Sequence, residues 1–267
     1  MAKKAKGHKG RESGGEPRVA ASGPDEAGFL AEYDAAEFSH PSLTVDVVLL
    51  TATEDSLAAL LIRRERHPEL GKWALPGGFV KLDESLDAAA ARVVKEKAGL
   101  RGVFLEQLYT FGEIGRDPRT RVITVAYYAL VTGDRLAAAG VPGGEKAQIA
   151  RLRVPWAGER GGPVEALDAT GAGLPLAFDH AEVLGMAVKR LRGKLDYAPI
   201  GFQLLPDAFS LRALQQIHET ISGRHLNKDS FRRRMLASGQ LEGTGERRTD
   251  VEYRPPELYR FVAPTQE

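Results

Sequence analysis

The amino-acid sequence predicts an α+β chain in two parts, a sandwich of sheet and helices over residues 40–196 followed by a small basic helical unit over 200–262. Three observations predict it. Short β-branched, apolar runs alternate with helical periodicity from Ser42 to Leu195, which is the pattern of a sheet covered by helices. A stretch at Tyr197-Ala198-Pro199-Ile200-Gly201 then breaks that pattern. Beyond it the charge changes: between Arg224 and Arg248 seven Lys or Arg stand against three acids, although the whole chain carries only +1.

The elements follow in order. Residues 1–35 read as a disordered tail, rich in Lys, Gly, Ser and Glu near the start and without an apolar run. Leu43 to Leu50 is β-branched and apolar, as a buried strand requires. Leu57 to Ile62 forms a second strand after the polar turn Thr53-Glu54-Asp55, and Arg63, Arg64 and Arg66 mark its charged exit. Trp73 to Val80 is a short strand interrupted at Pro76-Gly77-Gly78. Four consecutive alanines favour a helix from Ser85 to Lys97, and Gly99 stops it. Further strands are expected at Leu105 to Phe111 and Arg121 to Val131, joined by the charged turn Gly115-Arg116-Asp117-Pro118-Arg119. Gly133 to Leu174 is Gly- and Pro-rich and yields no assignment. Asp179 to Leu195 returns to helical spacing, with Leu184, Val188, Leu191 and Leu195 on one face.

Composition excludes several chemistries. With no cysteine there is no disulfide, thiol nucleophile or thiolate metal site. The six histidines form no metal-binding spacing. Neither a secretory signal nor an apolar stretch of membrane-spanning length is present, so no membrane partner and a cytoplasmic location are expected.

The chemistry-bearing segment runs from Gly78 through five residues to Glu84, then seven residues to Arg92, and on to Glu96, Gly99 and Leu100. It resembles the Nudix box, Gly-x5-Glu-x7-Arg-Glu-U-x-Glu-Glu-x-Gly-U with U a bulky aliphatic residue. The resemblance implies magnesium-assisted attack on a diphosphate, for which several carboxylates must converge on the cation. Positions 93, 96 and 97 share one helical face. Family enzymes place glutamates there, whereas this chain places Val93, Glu96 and Lys97. A lysine where the cation would sit repels it, so no metal site is expected and hydrolysis should be weak or lost. Glu84 and Arg92 then read as a salt-bridge clamp between loop and helix, and Glu96 either as a residual ligand or as part of that clamp. A diphosphate could still be recognised. Gly77 and Gly78 let backbone approach a phosphate, and Arg63, Arg64, Arg66, Arg116 and Arg119 offer planar donors.

Two helices (Leu211 to Ser222 and Lys228 to Ala237) separated at Gly223, followed by a basic pair of strands, fit a winged helix-turn-helix. The second helix is the candidate recognition helix. Asn227 opens it, Phe231 and Met235 face inward, and Lys228, Ser230, Arg232, Arg233 and Arg234 are the candidate DNA contacts along with Asn227. Arg247 and Arg248 lie in the expected wing.

Over residues 40–262 the chain resembles the Nudix-related transcriptional regulators of NAD metabolism, the NrtR family. The resemblance is carried by Pro41-Ser42-Leu43-Thr44-Val45-Asp46, Arg116-Asp117-Pro118-Arg119, Leu176-Ala177-Phe178-Asp179-His180, Asn227 to Arg233 and Arg254 to Tyr259. It implies a degenerate Nudix domain (an α/β/α sandwich) that binds ADP-ribose or a related NAD-cycle nucleotide, and a winged helix that represses NAD-biosynthesis genes. It further implies a homodimer on double-stranded operator DNA, for which a palindromic site is expected. Two other readings compete with it: a hydrolase acting on ADP-ribose or another nucleoside diphosphate derivative, and an adaptor whose basic C-terminus binds protein or RNA.

Overall fold

In a computed structural model the residues described are 25–34, 39–53, 55–138, 146–247 and 256–263. The central sheet is assembled around one long apolar strand, β1 (Ser42–Ala52), whose side chains alternate between two faces. Val48 and Leu50 enter one core, and Val45, Val47 and Leu49 the opposite one. Burial on both faces explains why this run is apolar throughout rather than alternating.

β1 pairs in parallel with β6 (Val122–Leu130) and antiparallel with β2 (Leu57–Arg63). Outside β6 lies β5 (Glu106–Phe111); outside β2 lie β7 (Ala147–Arg153), β8 (Glu165–Leu167) and β9 (Gly173–Leu174). Two short strands, β3 (Trp73–Ala74) and β4 (Gly77–Phe79), attach to β2 and β1 respectively. Helix α2 (Leu86–Ala98) covers one face through Ala89, Ala90, Val93, Val94 and Ala98, with Leu136 of the short α3 (Gly133–Ala137) beside it. Helix α4 (His180–Lys194) covers the other through Val183, Leu184, Ala187, Val188 and Leu191. The layering is helix, sheet, helix, as expected.

The Gly- and Pro-rich stretch without an assignment contains α3 and the three added strands β7, β8 and β9. Their alternation is obscured because polar residues occupy half-buried positions, as in Ala-Gln-Ile-Ala-Arg-Leu-Arg of β7. A second difference lies in the N-terminal tail. Glu26–Glu32 forms helix α1, capped by the Asp25 carboxylate, which accepts a hydrogen bond from the Gly28 N–H at 2.8 Å. Residues 1–24 and 35 of that tail lie outside the described residues. Among the described residues no helix is long and apolar enough to cross a membrane.

After α4 a 3-10 helix (Pro199–Leu204) leads to α5 (Leu211–Ser222), α6 (Lys228–Ala237) and the hairpin of β10 (Leu241–Arg247) and β11 (Glu257–Phe261). Phe202, Phe209, Leu211, Leu214, Phe231, Met235 and Tyr259 form the core of this part. The boundary expected near residue 200 is not a loose linker. Ile200, Leu204, Ile217 and Ile221 join the core beneath α4 instead, so Pro41–Glu267 packs as one unit.

Candidate functional site

The box segment folds as loop and helix. Ser85 caps α2 by accepting from the Ala88 N–H, and Gly99, at φ +65°, ends it. The Tyr127 hydroxyl donates to Asp87 at 2.7 Å, anchoring the first turn to β6. Arg92 then reaches back over the loop. Its Nε donates to Glu84 Oε2 at 2.9 Å, its Nη2 to Glu84 Oε1 at 2.6 Å and to the Phe79 carbonyl at 2.9 Å, and its Nη1 to Glu96 Oε2 at 3.2 Å. Glu84 Oε1 also accepts from the Lys81 N–H. Hydrogen bonding by Arg92, assisted by that N–H, holds the Glu84 carboxyl at about 2. Arg92 is thus a clamp of loop to helix. Both surviving carboxylates face this guanidinium, and Val93 points into the core. Among the described residues no group of three or more His, Asp or Glu is gathered as a metal ion would need.

A second constellation lies beneath the Pro76-Gly77-Gly78 turn, built from segments that carry the family resemblance but whose Asp46, Asp179 and His180 had no role assigned from sequence. Asp46 on β1 is buried and accepts from the Thr124 hydroxyl at 2.7 Å. Arg116 lies 3.7 Å from Asp46 and makes a two-pronged bond to Asp179, Nε to Oδ2 at 2.7 Å and Nη2 to Oδ1 at 2.6 Å. Burial opposes the Arg116 charge, but Asp179, Asp46 and Asp117 outweigh it and raise its pKa. His180 is buried, which pushes its pKa down despite Asp46 at 3.8 Å. Its Nδ1 accepts from the Leu75 N–H at 2.9 Å, so the neutral ring carries its proton on Nε2.

This arrangement redistributes the arginines. Arg116, taken from sequence as a phosphate ligand, has a side chain only 5% exposed and is committed to Asp179. Arg119 pairs with Asp117 while remaining exposed, and its guanidinium lies 5.5 Å from the Phe79 ring. Arg64 donates to the Pro68 carbonyl and stacks 4.7 Å from the Phe178 ring. Burial, then the nearby Arg119 charge, lowers its pKa. Arg63 instead donates to the Gly71 carbonyl, and Arg66 is exposed on the loop that follows. The structure therefore brings Arg64, Arg116 and Arg119 together and sends Arg63 elsewhere. Gly77 also has a packing reason: a Cβ there would stand 2.1 Å from Asp46 Oδ1. At Gly78 a Cβ would meet Val93 at 3.3 Å. The available signals for the missed residues were a lone aspartate inside an apolar run and Asp179-His180 at the start of a helix.

In the C-terminal part Asn227 is a cap, its side chain accepting from the Ser230 N–H at 3.0 Å, rather than a free contact. Phe231 and Met235 are buried, while Lys228, Ser230, Arg232, Arg233 and Arg234 are exposed. Arg234 turns toward Asp196 (3.8 Å) and lies 5.6 Å from the Phe231 ring. Arg247 ends β10; its side chain and Arg248 lie outside the described residues.

Two family models match, the NUDIX domain over residues 40–157 and the NrtR DNA-binding winged helix domain over 201–261. The ADPR responsive transcriptional repressor NtrR of Acinetobacter baylyi is 37% identical over 239 residues, 89% of this chain and 88% of that protein. The chain belongs to the NrtR family. NrtR of Shewanella oneidensis, solved in complex with a 27mer DNA, superimposes with a TM-score of 0.66 at 34% identity, covering 82% of this chain and 93% of that one. A MutT/nudix family protein from Enterococcus faecalis gives 0.70 at 32% identity over 89% and 93%. For an NrtR-family chain the joined architecture is therefore expected: a Nudix domain carrying a DNA-binding winged helix.

Proposed function

We propose that this protein is a transcriptional repressor of NAD-biosynthesis genes that binds operator DNA through its winged helix and senses ADP-ribose or a related nucleotide through its Nudix domain. The observation that carries the reading is α6, a capped helix whose inner face is closed by Phe231 and Met235 while Lys228, Arg232 and Arg233 project outward. Such a helix offers guanidinium forks to guanine edges or phosphates. The relative from A. baylyi is described as ADPR-responsive, and the relative from S. oneidensis has been solved on DNA. Both descriptions support the same two partners here.

In this reading the nucleotide binds beside Gly77 and Gly78, with the part-buried Arg64 and the exposed Arg119 as the nearby cations and Arg116 as the buried residue that orders the site. The box does not fit magnesium. A hard dication takes several oxygen ligands, whereas here Val93 is buried in the core and Glu84 and Glu96 are bonded to Arg92. The effector is thus bound without a metal and without hydrolysis. The protein acts in the cytoplasm as a homodimer on a palindromic operator, two copies of α6 reading two half-sites.

A gel-shift titration tests the reading. Duplexes from the upstream region of the protein's own gene should be retained at low salt, release steeply as salt rises, and shift in affinity when ADP-ribose is added. No retention at low salt sinks the repressor reading, and magnesium-dependent release of AMP from ADP-ribose would favour a hydrolase instead.

A further inference from the structure

Helix α4 touches both ends of the proposed machine. At its start Asp179 holds Arg116, and His180 accepts from the N–H of Leu75, two residues before Gly77. Near its end Arg192 bridges the Nudix domain and the winged helix. Its Nε donates to the carbonyl of Ile221 in the last turn of α5 at 2.9 Å. Its Nη1 donates to the carbonyls of Trp156 at 3.1 Å and Gly158 at 2.9 Å, and the guanidinium lies 4.8 Å from the Trp156 ring. The last carbonyls of a helix lack intrahelical partners and carry the negative end of its dipole, so a cation at Ile221 both satisfies and attracts that end of α5.

The clamp is built closely. Gly223, which ends α5 at φ +67°, approaches Arg192 so tightly that a Cβ there would lie 2.8 Å from its Nη2. Around it Ile217 and Ile221 of α5 share a core with Leu184, Val188 and Leu191 of α4. One turn further on, Asp196 faces Arg234 of α6 at 3.8 Å. A helix of 15 residues spans about 22 Å at 1.5 Å per residue. An element of that length connects Leu75, just before the Gly77 turn, to the last turn of α5.

We propose that Arg192 is the positioning residue that transmits the state of the proposed nucleotide site to the winged helix, by locking the C-terminal end of α5 to the last turn of α4. The inference rests on the repressor reading above. Coupling between two ligands is a free energy shared by both sites, so it can be reduced while each separate affinity survives. The planar fork of arginine reaches three carbonyls and stacks on an indole; lysine keeps the charge and loses that geometry.

The test measures operator affinity with and without ADP-ribose, and ADP-ribose affinity without DNA, for full-length wild type and Arg192→Lys. In wild type, ADP-ribose should change the operator Kd by about 5- to 150-fold, the usual range of such coupling. In Arg192→Lys that ratio should collapse toward 1, with each separate Kd within about threefold of wild type, well inside the tenfold that about 1.4 kcal/mol represents. An unchanged ratio overturns the proposal, and so does a parallel loss of both separate affinities, which would make Arg192 a structural brace only. If Arg192→Lys does not fold, Trp156→Leu removes the ring beneath the guanidinium and must lower the ratio by the same reasoning; an unchanged ratio there overturns it. A wild type whose operator Kd is indifferent to ADP-ribose sinks the ADP-ribose-sensing reading on which the proposal rests, and is told apart because no variant is needed to see it.

Discussion

Gly77 and His218 show how single residues take their meaning from neighbours far along the chain. At Gly77 the missing side chain makes room for Asp46, so the residue serves packing whatever ligand its backbone is proposed to meet. His218 on α5 is 6% exposed, its ring edge-on to Phe231, and Nδ1 has no hydrogen-bond partner among the described residues. Burial, reinforced by the Arg234 charge, brings its pKa down from 6.5 to about 4. The native state therefore holds His218 neutral where the unfolded chain would protonate it. Its effect on stability is absent above pH 6.5 and becomes destabilising as pH falls toward 4, by up to about 3 kcal/mol. His218→Leu should flatten that part of the pH dependence of the melting temperature. A slope between pH 6.5 and 4 equal to that of wild type would contradict the assignment.

Elements with local stop and start signals were legible in the sequence, and those without were not. Ser210, Gly223 and Asn227 bound α5 and α6 at the positions expected, because capping hydrogen bonds involve only residues three or four apart. The strands β7, β8 and β9 lacked such signals, since their pairing partners are distant and their half-buried polar residues break the alternation. Within α6 the structure separates two roles that the sequence had merged. Arg233→Ala should weaken operator binding and, if the contact is to phosphate, lower the slope of log K against log salt by about 1. Asn227→Ala should instead cost about 1 kcal/mol of stability through the lost cap and leave the slope unchanged. Thermal unfolding paired with the salt titration distinguishes them, and a slope lowered by Asn227→Ala with stability intact would restore that residue as a DNA contact.

For the whole molecule the decisive feature is that the two domains share a core. Ile217 and Ile221 belong to the winged helix by sequence and to the sandwich by packing. Ile221→Ala should therefore cost about 2–5 kcal/mol and lower the stability of residues 41–267 as one cooperative unit. A winged-helix transition detached from that of the sandwich, seen by calorimetry in wild type, would contradict this. The sequence by itself determined the layered α+β architecture, the box with its altered acidic face and the basic helix-turn-helix, because periodicity, motif spacing and capping are local properties. Only the tertiary structure decided that Glu96 joins Glu84 on Arg92, that Arg116 bonds Asp179, and that Arg192 joins α4 to α5. Those pairings are set by which buried charges and orphan carbonyls meet across the fold. A buried polar group must be satisfied by whatever packing brings within reach, and spacing along the chain does not reveal which group that will be.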